Sequence, residues 1–158
     1  QVWPRSGRGE NRRQVWLLMR HFLKNVAILG IMILFPAVAS AGDAPLKIDG
    51  TTTVDAQKVI ELIQSVPDLV VIDSRKKKDF DAGHIENSVH LISTDTNADS
   101  LAKHVKSKST PVLFYCNGLK CGRAADAAKI AVKSGYSKIY YYAKGLDEWN
   151  AQGLPLAK

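Results

Sequence analysis

Two short, unbroken apolar runs constrain this chain most: Leu69-Val70-Val71-Ile72 and Pro111-Val112-Leu113-Phe114-Tyr115. Neither alternates polar with apolar, so each must be covered on both faces, as the strands of a parallel sheet are. Helical spacing appears around them. Ala56, Val59, Ile60 and Ile63 fall at i, i+3, i+4 and i+7 and predict an amphipathic helix over Val54–Gln64, with Pro67 just beyond its end. Gly122–Lys133 carries Ala124, Ala127, Ala128 and Ala131 on one face, small enough to sit close to a sheet, and Gly135 suits its C-terminal cap. Lys138–Tyr142 reads as a third strand and Leu146–Ala151 as a last short helix, stopped by Gly153 and Pro155. Weaker signals place a first strand at Lys47-Ile48, a helix at Lys76–Asp81 ended by Gly83, a strand at Ser88–Ile92 and a helix at Ala98–Val105. Strands separated by helices predict an α/β domain, a parallel sheet flanked by helices.

The first forty residues read differently. Met19 opens a short basic segment, Val26–Val38 is an uncharged apolar run of 13 residues, and Ala39-Ser40-Ala41 follows. A basic start, a short apolar middle and an Ala-x-Ala end are the pattern of a secretory signal peptide. The run is shorter than the roughly 20 residues a spanning helix needs. The expected organisation is therefore an upstream segment 1–18 from a start assigned too early, a signal peptide 19–41 cleaved after Ala41, and one domain over 42–158. Export to the bacterial periplasm follows. The competing reading is an uncleaved anchor over residues 25–42, the sole membrane contact expected. Of the net charge of +7, residues 1–41 hold +5 (six basic side chains against Glu10). The remaining excess supports a polyanion-binding surface poorly, so no nucleic-acid partner is expected.

The chemistry is expected in Tyr115-Cys116-Asn117-Gly118-Leu119-Lys120-Cys121-Gly122-Arg123, between a buried strand and the Ala-rich helix. Open α/β sheets bind ligands at the carboxyl ends of their strands, so Cys116 is expected at the base of a pocket. The helix start offers free N–H groups to an anion, Gly118 and Gly122 let the backbone curl into a nest, and Lys120 and Arg123 add positive charge. Such surroundings would lower the thiol pKa from its free value of about 8.5. A thiolate there can attack the outer sulfur of thiosulfate, keep it as a persulfide and pass it to a second nucleophile, without metal or cofactor. Two cysteines five apart would close a very small loop, so the pair reads as chemistry rather than as a staple. His84, His90 and His104 lack the spacing that would complete a zinc site.

Several ordered motifs resemble the rhodanese homology domain, in particular its small exported sulfurtransferases, from about Thr52 to Pro155. They are Val71-Ile72-Asp73-Ser74-Arg75, Phe80-x-x-Gly83-His84-Ile85, Phe114-Tyr115-Cys116, Gly135-Tyr136 and Gly145-x-x-x-Trp149-x-x-x-Gly153-x-Pro155. The resemblance implies a central parallel sheet of about five strands flanked by helices, and thiosulfate sulfurtransferase activity. It implies Cys116 as nucleophile and Asn117, Gly118, Leu119, Lys120 and Cys121 as the persulfide cradle. Asp73, Arg75 and His84 would be supports. Thiosulfate or a similar small sulfur anion would be the donor, and a thiol or thioredoxin-like protein the acceptor. Two departures stand out: Asn87-Ser88 where the family often has Gly-Ala, and Cys121-Gly122 where it often has Arg followed by Ser or Thr. Cys121 could resolve a Cys116 persulfide to a disulfide. A related phosphatase branch resembles Cys-x₅-Arg, but here the sixth place after Cys116 is Gly122. A dithiol redox or sulfur-carrier module using Cys116 and Cys121 is the alternative function.

Overall fold

The structure is a computed structural model that describes residues 43–158. The upstream segment and the predicted signal peptide lie outside the described residues. The elements run β1 (Thr52–Thr53), α1 (Ala56–Ser65), β2 (Val70–Asp73), α2 (Lys77–Ala82), β3 (Val89–His90), α3 (Ala98–His104), β4 (Val112–Tyr115), α4 (Arg123–Lys133), β5 (Ile139–Tyr142) and α5 (Gly145–Ala151). Among the described residues they build one five-stranded sheet, all parallel, in the order β1-β5-β4-β2-β3. This is the expected α/β architecture of about five strands between helices.

The two apolar runs are the centre of that sheet. β2 pairs with β4 from Val70↔Val112 to Asp73↔Tyr115, and β4 pairs with β5 from Val112↔Ile139 to Tyr115↔Tyr142. Successive side chains point to opposite faces. Ile72, Val112, Phe114 and Tyr141 join the core beneath α3 and α4. Val71, Leu113, Tyr115 and Tyr142 join the core beneath α1 and α5. The alanines of α4 do what their size allows: Ala124, Ala127, Ala128 and Ala131 are all buried against the sheet. Gly135, at φ +84, turns the chain out of α4, with its N–H on the Val132 carbonyl and the Tyr136 N–H on the Ala131 carbonyl. Those two bonds satisfy carbonyls that the helix end would leave bare.

Most boundaries shift by a residue or two from the sequence reading, and three elements differ in more than that. The first strand is Thr52–Thr53, not Lys47-Ile48. The Thr51 N–H and hydroxyl both reach the Ile48 carbonyl, at 3.1 and 2.8 Å, and Gly50 takes φ +81, so residues 48–51 form a turn that delivers the strand. α1 begins after Asp55, whose carboxylate accepts the Lys58 N–H and caps the helix, and it is rotated from the predicted face. Ala56, Val59 and Leu62 are buried while Ile63 is exposed. β3 keeps only Val89 and His90 of the predicted Ser88–Ile92. Asn87 does adopt the left-handed backbone (φ +61) that its place before the strand requires.

Candidate active site

β4 ends at Tyr115, and the next residue, Cys116, lies at the carboxyl edge of the sheet on the α4 side. From there the chain loops through Asn117–Gly122 and enters α4 at Arg123. The loop is held from below by α5. The Leu146 N–H donates to the Cys116 carbonyl at 3.0 Å, and the Asp147 N–H to the Asn117 carbonyl at 2.6 Å. A trans peptide points its N–H opposite its carbonyl. Pinning these two carbonyls to α5 therefore turns the Asn117 and Gly118 N–H groups away from it. Among the described residues, the N–H groups of Asn117, Gly118, Leu119, Lys120 and Gly122 donate to no protein acceptor. The Cys121 N–H closes a turn on the Gly118 carbonyl at 2.9 Å.

Glycine is needed here, but not where sequence reasoning put the need. Gly122 has ordinary helical backbone (φ −71) and open space around it. Gly118 has no left-handed backbone, and a Cβ there would come within 2.0 Å of the Asp147 carboxylate, the movable end of a side chain. The critical residue is Gly145, at φ +50, where a Cβ would lie 2.2 Å from the Cys116 carbonyl oxygen. Only a glycine lets the first turn of α5 approach the loop backbone this closely. Its place in the closing Gly145-x-x-x-Trp149 segment was the signal available in the sequence.

The two cysteines are joined. Cys116 and Cys121 form a disulfide, with Cα atoms 6.1 Å apart. Cys116 is 2% exposed and Cys121 8%, so Cys116 is not at the base of an open pocket as expected. The bridge and the half-buried Leu119, packed on the same core, close the loop over it. A surface cleft of about 530 Å³ is lined by Ile60, Ile63, Ile85, Trp149, Leu154 and Leu156 among others, and by neither cysteine.

The charges divide unexpectedly. Lys120 leaves the cradle: its ammonium is exposed and pairs with Asp43 at 2.6 Å, while the Ala44 N–H donates to the Leu119 carbonyl. Arg123 stays, and its Nη1 donates to Cys121 Sγ at 3.4 Å. The Asp147 carboxylate beside Gly118 adds a negative charge that sequence spacing gave no reason to expect.

Behind the loop, on the other face of the sheet, lies a fully paired polar cluster. The Asp73 carboxylate is buried and accepts from Arg75 Nε at 3.0 Å, Arg75 Nη2 at 2.6 Å, the Arg75 N–H at 2.9 Å and the Tyr115 hydroxyl at 2.6 Å. Arg75 Nη2 also donates to the Gly83 carbonyl at 2.6 Å. The Tyr115 hydroxyl in turn accepts the Ile85 N–H at 3.1 Å. The cluster thus clamps β2, the α2–β3 connection and the residue immediately before Cys116. Burial alone would pull the Arg75 pKa down, but the hydrogen bonds and charge of Asp73 outweigh it and leave it raised. Burial, reinforced by the Asp73 charge, pushes the Tyr115 phenol well above its ordinary range.

His84 is elsewhere. Its ring stacks on Phe80 (centroids 3.9 Å apart), Nδ1 meets the Phe80 carbonyl at 3.1 Å, and its backbone exchanges two hydrogen bonds with Ala157. It pins the C-terminal tail and takes no part in the loop. Ser74, which sequence reasoning passed over, is fully buried beside this edge, and its hydroxyl has no partner among the described residues. No group of three or more His, Cys, Asp or Glu among them is placed to hold a metal ion. No helix among them is long and apolar enough to cross a membrane.

A parallel α/β sheet with a cysteine at the carboxyl end of a central strand, opening a loop onto a helix, defines a class of domain. The rhodanese-like domain model matches residues 55–152, and the chain belongs to that family. An uncharacterized Escherichia coli protein, YibN, is 26% identical over 140 residues, covering 88% of this chain and 92% of that protein. The tRNA uridine(34) hydroxylase of an Enterobacter species is 32% identical over 99 residues, covering 57% of this chain but only 27% of that enzyme. Among solved structures, the polysulfide-sulfur transferase of Wolinella succinogenes is 26% identical, with a TM-score of 0.55 over 68% of this chain and 79% of that one. A Bacillus halodurans protein shares the fold at 17% identity, with a TM-score of 0.60 over 90% of this chain and 85% of its own. The family and this transferase neighbour together support sulfur transfer as the general activity.

Proposed function

We propose that the chain moves sulfane sulfur from thiosulfate, or a persulfide donor, to a thiophilic acceptor through a persulfide on Cys116. The observation that carries this is the loop geometry. Cys116 follows a central strand, and α5 holds the next two peptide groups so that their N–H groups turn away from that helix. Such a row of uncommitted N–H groups stabilises an anion. The working state is the dithiol. With the bridge reduced, the Cys116 thiolate attacks the outer sulfur of thiosulfate. The sulfur–sulfur bond of thiosulfate breaks, sulfite departs with the electron pair, and the new persulfide rests among the loop amides. A thiol, or a thioredoxin-like protein, then removes the outer sulfur and restores the thiolate, giving ping-pong kinetics.

The test is intact-mass spectrometry of the reduced protein after thiosulfate. The expected result is sulfite release and transient gain of one sulfur atom, both abolished in Cys116→Ser. Sulfite release that persists in Cys116→Ser would refute the assignment. A second reading, a dithiol carrier that never handles sulfane sulfur, is supported by the Cys116–Cys121 bridge itself. It predicts reversible bridge formation with a defined potential and no sulfite from thiosulfate. The basic, apolar and Ala-x-Ala succession through Ala41 supports export to the periplasm. Sequencing of the protein from that compartment would begin at Gly42, and an unprocessed chain held in the membrane would favour the anchor.

A further inference from the structure

We infer that Cys121 is a resolving residue that ends the sulfur-transfer cycle within the chain, releasing the bound sulfur as hydrosulfide. This inference rests on the Cys116 persulfide reading above and adds the fate of the sulfur. Three observations carry it. The Sγ of Cys121 reaches the Sγ of Cys116 to the point of bonding, so the loop already accommodates the product of such an attack. Both cysteine residues are almost fully buried in the bridged form, so the thiol nearest to Cys116 is that of Cys121 rather than one from outside. Finally, the loop's cations are not spent on Cys116: Lys120 is tied to Asp43, and Arg123 donates to the Cys121 sulfur. A guanidinium beside a thiol favours its thiolate, which is the attacking form. Arg123 is thus a positioning residue for the second cysteine.

The Cys121 thiolate attacks the inner sulfur of the protonated persulfide, Cys116-Sγ–SH. A Cys116–Cys121 bond forms, the bond between Cys116 Sγ and the outer sulfur breaks, and HS⁻ leaves with the electron pair. The outer sulfur is reduced by two electrons, and the two cysteines are oxidised to the disulfide. A dithiol reductant then returns the pair to thiols. With thiosulfate as donor, the net reaction is thiosulfate plus a dithiol giving sulfite, hydrogen sulfide and the dithiol's disulfide. The uncommitted loop N–H groups that hold the persulfide also stabilise the departing anion. The cycle so defined takes a dithiol reductant as a further reaction partner, beside the sulfur acceptor.

The experiment uses the full chain, reduced and freed of reductant, with thiosulfate. Sulfite, sulfide and intact mass are followed together. Wild type is expected to release sulfite and then sulfide in equal amounts and to finish as the disulfide without added sulfur. Cys121→Ser, with Cys121→Ala as a second variant should serine disturb the buried site, is expected to release sulfite, retain one sulfur atom and yield no sulfide until an external thiol is added. Arg123→Gln is expected to move the pH profile of the sulfide step upward, and Arg123→Lys to restore it in part. If wild type keeps its added sulfur as the Cys121 variants do, with no sulfide, the resolving role is overturned while the persulfide reading stands. If none of the proteins releases sulfite, the persulfide reading itself fails, and this inference with it.

Discussion

Replacing Gly145 with alanine tests whether the first turn of α5 sets the shape of the cysteine loop. The residue sits at φ +50, where an L side chain costs roughly 1–2 kcal/mol. Its new Cβ would also fall 2.2 Å from the Cys116 carbonyl oxygen and 2.9 Å from the carbonyl carbon. Both are backbone atoms, so no rotamer change relieves the overlap. α5 and the loop must separate, weakening the Leu146 N–H bond to Cys116 and the Asp147 N–H bond to Asn117. Each such bond contributes about 1 kcal/mol net, so the whole change should cost about 3–4 kcal/mol. Gly153→Ala is the control, since it has a similar φ of +67 but open space around its Cβ and should cost only about 1 kcal/mol. Urea unfolding separates the two. With a slope of about 1.5 kcal/mol/M, the midpoint should fall by about 2 M for Gly145→Ala and by under about 1 M for Gly153→Ala. Sulfite release from thiosulfate should slow in the first variant alone. Equal destabilisation in both variants would refute the argument, because strain would then be the entire effect and the close approach to Cys116 immaterial.

Two further expectations concern the groups behind and below the loop. Tyr115→Phe removes a donor to the buried Asp73 carboxylate and the acceptor for the Ile85 N–H, and should cost about 2–3 kcal/mol in the same unfolding assay; a loss under about 0.5 kcal/mol would show the cluster to be energetically slack. Glu148 is held below its ordinary carboxylate pKa: burial pushes it up, but the Lys144 ammonium and the Ala56 N–H overcome that. Its folded value is depressed, so its contribution is fully present above the ordinary value of about 4.3 and is lost as pH falls through the lower folded value. Glu148→Gln should flatten the acid limb of a stability-against-pH curve, and a limb superimposable on wild type would exclude the link between α1 and α5.

Sequence alone determined the frame. Runs such as Leu69–Ile72 and Pro111–Tyr115 have nowhere to go but a sheet interior, and the alanines of α4 nowhere but close against it, because the hydrophobic effect acts on composition and spacing before any neighbour is known. The place of Cys116 at a strand end, with a helix beyond, followed from the same pattern. Tertiary structure decided everything that depends on which surfaces meet. Strand order put β4 between β2 and β5, which let Tyr115 reach Asp73 across 42 residues of chain. Packing of α5 under the loop made Gly145, not Gly118 or Gly122, the glycine whose left-handed backbone matters. Contacts with Asp43 and Cys121 sent Lys120 outward and Arg123 to the second sulfur, whereas spacing had given both to the first. Local spacing fixes which face a residue shares with its neighbours in sequence. It carries no information about the groups that long-range packing brings to that face, and the chemistry of a cysteine pair is set by those groups.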